Sequence, residues 1–189
     1  MPSGTPPGQP PPERPARNGV SNRATLLEVH ERLTPADHQT HRRYSFHVPP
    51  GCGELRLSVS YTPKLLPSVD AAGLVAEARR RQAASLASRI GGRLAERWSA
   101  DTDAVIPGAP VPNLLTISLD DARGRYRGAG HRHAPRQEFV VSPRLATPGL
   151  VPGPLEAGEW TLTLSAHTLV SPQCEVSIRI GAVTPSSSP

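Results

Sequence analysis

The chain has 189 residues, of which 37% are hydrophobic and only 4% aromatic, and 23 of them are prolines. This length suffices for one good-sized domain, since domains peak near ~100 to 150 residues. The formal charge of +5 is concentrated in residues 1–23 and 68–99. The strand-rich remainder therefore lacks the basic surface that binding to a phosphate backbone requires, and nucleic acid is not an expected partner.

The sequence contains no segment that indicates export or membrane insertion. No stretch approaches the ~18 apolar residues of a membrane span, and the start, MPSGTPPGQPPPERP, lacks the apolar core of a secretion signal. We therefore expect a cytoplasmic protein without a membrane partner. Cys52 and Cys174 each stand at or beside a predicted strand start, so pairing would require both starts at one end of the fold. Without a secretion signal, free thiols are favoured over a disulfide.

Three regions are predicted along the chain. Residues 1–23 form a disordered leader, because runs of proline favour solvated polyproline II. A single folded domain is predicted over residues 24–182, and residues 183–189 form a disordered tail.

Seven segments of the predicted domain alternate apolar and polar residues, the pattern of half-buried antiparallel strands. They cover residues 25–30, 43–48, 54–61, 113–119, 136–141, 159–167 and 174–180. Trp160 heads the apolar face of the segment EWTLTLSAH and is predicted to be a core anchor. The segment RYRGAGHRHAP, residues 125–135, is predicted to be irregular.

A proline- and glycine-rich segment separates the predicted strand at 136–141 from the predicted strand at 159–167. Three prolines and three glycines lie between Pro148 and Gly158, a density that excludes a helix. We predict that this segment crosses one end of the fold.

The pattern changes between residues 68 and 99, which run without proline and are rich in alanine and arginine. Ser68 is a suitable N-cap, and Leu86, Ile90 and Leu94 recur every four residues. The sequence therefore predicts an all-β fold, an antiparallel β-sandwich (jelly-roll-like) with one α-helical insertion at about residues 68–99. The arginine-rich insertion either covers one face of a sheet or mediates self-association or partner binding.

His131 and His133 form the one pairing that resembles a metal motif, because histidines at i and i+2 of an extended segment point the same way. A site would need at least a third ligand, for which four histidines are available: His38, His41, His47 and His167. Because no carboxylate or cysteine lies nearby at ligand spacing, a polar loop is favoured over a metal site. We expect no cofactor.

The other motifs of catalytic chemistry are missing or have a simpler reading. Asp120 and Asp121, with Asp101 and Asp103, lack the repeated oxygen ligands and the bidentate glutamate of a calcium loop. They are expected to be turn formers. The sequence has neither a G-x-S-x-G elbow nor a glycine-rich phosphate loop. No catalytic residue is predicted.

Three segments follow one another in an order that resembles a known family: FHVPPG at 46–51, LDDARGRYRG at 119–128, and ATPGLVPGPLEAGEW at 146–160. The chain resembles the N-terminal β-sandwich domain of CehA/McbA-type metallohydrolases of the PHP (polymerase and histidinol phosphatase) superfamily. The likeness covers about residues 41–61 and 113–181. In those relatives a separate metal-binding domain carries the reaction. The chain ends at Pro189, so the resemblance implies an accessory domain without the catalytic domain.

Our leading hypothesis is a non-enzymatic, stand-alone sandwich module that binds a partner protein or a small polar ligand. A metallohydrolase, another protein, or a second copy bound through the helix are the candidate partners. The alternative is a small metal-dependent hydrolase that uses His131 and His133.

Overall fold

The computed structural model describes residues 22–66, 110–130 and 133–184, together with isolated positions between residues 73 and 93. These isolated positions are helical, and all but Ala87 are exposed. The rest of the predicted insertion, the leader up to residue 21 and residues 185–189 lie outside the described residues.

The described residues form strands over most of their length. The strands are β1 (Asn22–Leu33), β2 (Thr40–Val48), β3 (Glu54–Thr62), β4 (Leu65–Leu66), β5 (Val111–Pro112), β6 (Leu114–Asp120), β7 (Tyr126–Gly130), β8 (Arg136–Val141), β9 (Gly158–Thr168) and β10 (Cys174–Thr184). Each of the seven predicted strands is present. Several are longer than predicted, because the hydrogen bonds between strands continue past the residues at which the apolar–polar alternation ends.

Two four-stranded sheets pack against each other, and every strand pair within them is antiparallel. Sheet A has the order β1-β10-β3-β8, and sheet B has the order β2-β9-β6-β7. β4 and β5 form a separate small ribbon. The predicted all-β antiparallel sandwich is therefore confirmed.

The core lies between the inward faces of the two sheets. Trp160 is 0% exposed and packs against Phe46, with ring centroids 6.5 Å apart. Its strand mates on the same face are also buried: Leu162, Leu164 and Ala166. The predicted phase of β9 and the predicted role of Trp160 are thus correct.

The proline- and glycine-rich crossing does not run over one end of the sandwich, as predicted, but along its side. Thr147 N–H donates to the carbonyl of Val140 on the β8 edge, and Ala129 N–H on the β7 edge donates to the carbonyl of Gly149. The crossing therefore covers part of the β8 edge of sheet A and part of the β7 edge of sheet B. Where it does so, the edge backbone is already paired and cannot join another chain.

The predicted irregularity of residues 125–135 is wrong in its first half, because Tyr126–Gly130 form β7. Two glycines of this strand are required by close packing. A side chain at Gly128 would clash with the backbone of Gly149 and Leu150, and one at Gly130 would clash with the ring of Phe139. Glycine in a strand here marks the close approach of another element.

Cys52 and Cys174 are free and buried. Cys174 pairs with Leu33 at the first residue of β10, whereas Cys52 precedes Gly53, whose N–H donates to Val183 near the last. The two thiols therefore lie at opposite ends of the same strand, which excludes a bridge. No described helix is long and apolar enough to span a membrane.

Candidate functional site

The outward face of sheet A carries a groove with a volume of about 710 Å³. One row of cross-strand neighbours forms its floor, running from His30 through Ser177 and Ser60 to Arg136. Side chains of directly opposed residues lie about 4.5–5.5 Å apart at Cβ, so this row presents its polar groups together. Lys64 lines one wall.

Lys64 is the only lysine of the chain, and its ammonium group is held in place at this wall. Its Nζ donates to the hydroxyl of Tyr61 at 2.9 Å and to the backbone carbonyl of Asn113 at 2.8 Å. The ammonium also lies 5.4 Å from the centre of the Tyr61 ring. An ammonium group has three donors, so one N–H of Lys64 remains available to a ligand.

Asn113 is the buried residue that fixes this arrangement. Its side-chain amide donates to the carbonyl of Pro63 and to the hydroxyl of Ser171, and its oxygen accepts from the backbone N–H of Val170. Its own backbone N–H donates to the carbonyl of Lys64. Because Asn113 is 0% exposed, these bonds join three chain segments without competition from water. The position of Lys64 is therefore preorganised.

Three other basic residues on this face are paired with carboxylates. Nε of Arg32 bonds Glu175 at 2.7 Å, Nε of Arg56 bonds Glu54 at 2.6 Å, and Arg179 approaches Glu28 at 3.4 Å. These pairs neutralise one another.

Lys64 and Arg136 have no carboxylate partner among the residues that the structure describes. The hydroxyls of Ser60 and Ser177, between them, are likewise free of hydrogen bonds to described residues. The unpaired Glu138 lies farther along β8, in a neighbouring groove of about 280 Å³. The larger groove thus combines two unpaired cations with two free hydroxyl groups.

The predicted histidine site is not assembled in the described part of the chain. His131 lies outside it, and His133 is an exposed residue shortly before β8. His38 accepts from the N–H of Leu169, His41 bonds Ser165, and His167 bonds Thr116. His41, His47 and His167 belong to sheet B, whereas His133 lies between β7 and β8. The described residues contain no group of three metal-ligating side chains.

Asp121 is a turn former, as predicted. Its carboxylate accepts from the backbone N–H groups of Arg123 and Arg125 and from the side chain of Arg125. Burial alone would raise its pKa, but these hydrogen bonds outweigh burial and lower the pKa below the ordinary value of 3.8. The carboxylate is therefore fully used in holding the β6–β7 turn.

The buried thiols are poor nucleophiles. Burial is the largest cause that raises the pKa of the Cys174 thiol, to about 11, and burial also raises the pKa of Cys52. The reactive form of cysteine is the thiolate, so neither residue is activated near neutral pH.

Sequence reasoning missed the groove residues. Lys64 stood out as the only lysine, but nothing in its local sequence indicates contact with Asn113, 49 residues away. His30, Ser60, Arg136 and Ser177 are ordinary outward residues of four separate strands. Their common row became visible only once the strand order and register were known.

No family model matches this chain, and no curated protein matches it at a significant level.

Proposed function

We propose that this protein is a non-enzymatic β-sandwich module that binds a small anionic ligand, a carboxylate or phosphate compound, in the groove of sheet A. The observation that carries the proposal is the fixed Lys64, which has no carboxylate partner among the described residues and faces the same groove as the unpaired Arg136. A preorganised cation loses little freedom when it binds an anion, which favours affinity.

The donor groups of the groove suit an anion rather than a neutral ligand. Arg136 offers a planar fork of N–H groups that matches the two oxygens of a carboxylate or phosphate. Lys64 contributes one further N–H, and the hydroxyls of Ser60 and Ser177 can complete the hydrogen bonds of the remaining oxygens. A concave site with a few convergent polar groups is also the usual form of a small-molecule site.

The relation to the CehA/McbA-type sandwich domain and its hydrolase partner is part of this proposal. It is supported by the crossing ATPGLVPGPLEAGEW, which covers part of two sheet edges and so belongs to the architecture. We also propose a jelly roll with a helical insertion at about 68–99. If β4 and β5 are left out and the remaining eight strands are numbered 1 to 8 along the chain, the sheet orders are 1-8-3-6 and 2-7-4-5. Every connection except the hairpin between strands 4 and 5 then passes from one sheet to the other, which supports the jelly roll. The two free thiols support a cytoplasmic location.

Thermal unfolding of the purified full chain tests the anion site, with inorganic phosphate and citrate as probes at constant ionic strength. A ligand that binds only the native state adds about 2.7 kcal/mol of stability at a hundredfold excess over Kd. We expect the unfolding temperature to rise and saturate with one of these probes. Lys64→Met and Arg136→Gln should each weaken the apparent affinity at least about tenfold, the effect of losing one charged contact.

Arg23→Gln is the matched control, because Arg23 has no carboxylate partner among the described residues and lies on the same sheet, lining the smaller groove and not the larger one. It should leave the affinity nearly unchanged. Equal stabilisation of the wild type and both groove variants would place the anion elsewhere and reject the proposal. The absence of any saturable stabilisation by either probe would also reject it.

A further inference from the structure

The outward face of sheet B has a chemistry different from that of sheet A. Strands β2, β9 and β6 present a platform of hydroxyl side chains instead of charge pairs. The members of the platform that are exposed or half-buried are Ser45, Ser118, Thr161, Thr163 and Ser165. Cross-strand pairing places them in adjacent rows, with Ser45 opposite Thr161 and Thr163 opposite Ser118. The side-chain hydroxyls of Thr161, Thr163 and Ser118 make no hydrogen bond to a described residue.

An exposed aromatic ring lies at one side of this platform. Tyr126 is the β7 partner of Asp120, which in turn is the partner of Thr161, so all three side chains share one face of the sheet. The Tyr126 residue is 61% exposed, the most exposed aromatic of the core strands. Tyrosine combines an apolar ring with a polar hydroxyl and is enriched at contact surfaces for that reason.

The charge of the platform is close to balanced. Asp120 and Arg43 lie within its rows without a partner among the described residues, and Glu159, which accepts a hydrogen bond from Ser45, lies beside them. Their opposite charges, and the neutral hydroxyls between them, give no basis for attracting either a polyanion or a polycation. The face therefore differs from the anion groove, whose two unpaired groups are both cations.

We propose that this platform binds a neutral polyhydroxylated ligand, an oligosaccharide. A sugar ring has an apolar C–H face, which can stack on Tyr126, and peripheral hydroxyls, which can bond Asp120, Arg43 and the threonine hydroxyls. The row from Tyr126 to Ser45 crosses three gaps between neighbouring strands, a distance of about 14 Å. That distance exceeds one sugar ring, so the ligand is a chain of several rings. The site is independent of the anion groove.

Affinity electrophoresis of the full chain in gels that contain soluble starch, a soluble mixed-linkage β-glucan or a neutral xylan tests this inference. At least one polymer should retard the wild type. Tyr126→Ala should weaken retardation at least about tenfold, whereas Tyr126→Phe retains the ring and should stay within about threefold. Thr163→Val exchanges the hydroxyl for a methyl group of similar shape and should weaken binding several-fold.

Lys64→Met serves as the control, because it alters only the anion groove; relative to its own mobility in a gel without polymer, it should be retarded as strongly as the wild type. Far-ultraviolet circular dichroism of each variant establishes that it is folded, which is expected for exposed positions. The inference is overturned if none of the three polymers retards the wild type. It is equally overturned if Tyr126→Ala binds as well as the wild type, or if binding is lost in Lys64→Met and not in the Tyr126 and Thr163 variants.

Discussion

Arg127 is the residue that ties the crossing to the sandwich. It is 5% exposed and lies over the ring of Trp160, 5.1 Å from the ring centre. Its guanidinium donates to the carbonyls of Val151, Gly153 and Pro154. A single cation thus satisfies three carbonyl groups of a proline-rich segment that cannot join a regular ladder.

Replacing Arg127 tests this role. Arg127→Met keeps much of the stem but leaves those carbonyls without a partner, so it should lower the free energy of unfolding by about 3 kcal/mol. Urea unfolding followed by Trp160 fluorescence measures the loss. Arg123→Met, which removes an exposed arginine of the same hairpin whose side chain pairs only with Glu156 at the surface, should have a much smaller effect. Similar losses in the two variants would contradict the assigned role.

Asp121 makes the stability depend on pH. Its pKa is lower in the folded state than the ordinary 3.8, so its contribution is present above that value and is lost as pH falls below it. Asp121→Asn should therefore be less stable than the wild type at pH 7, and the difference should shrink below about pH 4. Asp120→Asn is the control, because Asp120 has no described partner. A difference that stays constant from pH 7 to acid would contradict the account.

At the scale of elements, period-two alternation sufficed to predict the long strands and their inward faces. Leu55, Leu57 and Val59 are buried as the pattern of β3 requires. The alternation pattern failed for β7, because Gly128 and Gly130 are required by contacts with residues that are distant in sequence. The groove could not be predicted for a similar reason, since its row of residues joins four strands that are distant in sequence.

The crossing sets a strict requirement at Gly128. Its φ is +97°, and an added Cβ would meet the backbone of Gly149, which accepts the hydrogen bond of Ala129. Gly128→Ala should lower the free energy of unfolding by more than about 2 kcal/mol, because both conformational strain and displacement of the crossing oppose it.

Gly124→Ala separates strain from packing. Gly124 also has a positive φ, +72°, but an added Cβ there meets open space. Its loss should be about 1 kcal/mol, the cost of the left-handed conformation alone. Denaturant melts measure the loss in the free energy of unfolding for both variants. Equal losses would mean that packing against the crossing does not restrict residue 128.

At the scale of the whole molecule, the outward faces of the two sheets carry different functional groups. On the side of the sandwich opposite β7 and β8, and at its ends, charged residues form ion pairs with one another, as Arg42 does with Glu31 and Asp37. Sheet A leaves two cations unpaired above a groove, and sheet B leaves hydroxyls and one aromatic ring on a flat surface. The net charge of +5 is thus less informative than the places where charge has no partner.

Amide chemical shifts measured by NMR during a titration would show whether the groove of sheet A is the anion site. With citrate or inorganic phosphate added to the isotope-labelled full chain, saturable shifts should appear first at Ser60, Lys64, Arg136 and Ser177. The amides of Thr161 and Thr163 on sheet B should not move. Shifts that centre on sheet B, or that scatter without saturating, would contradict the account.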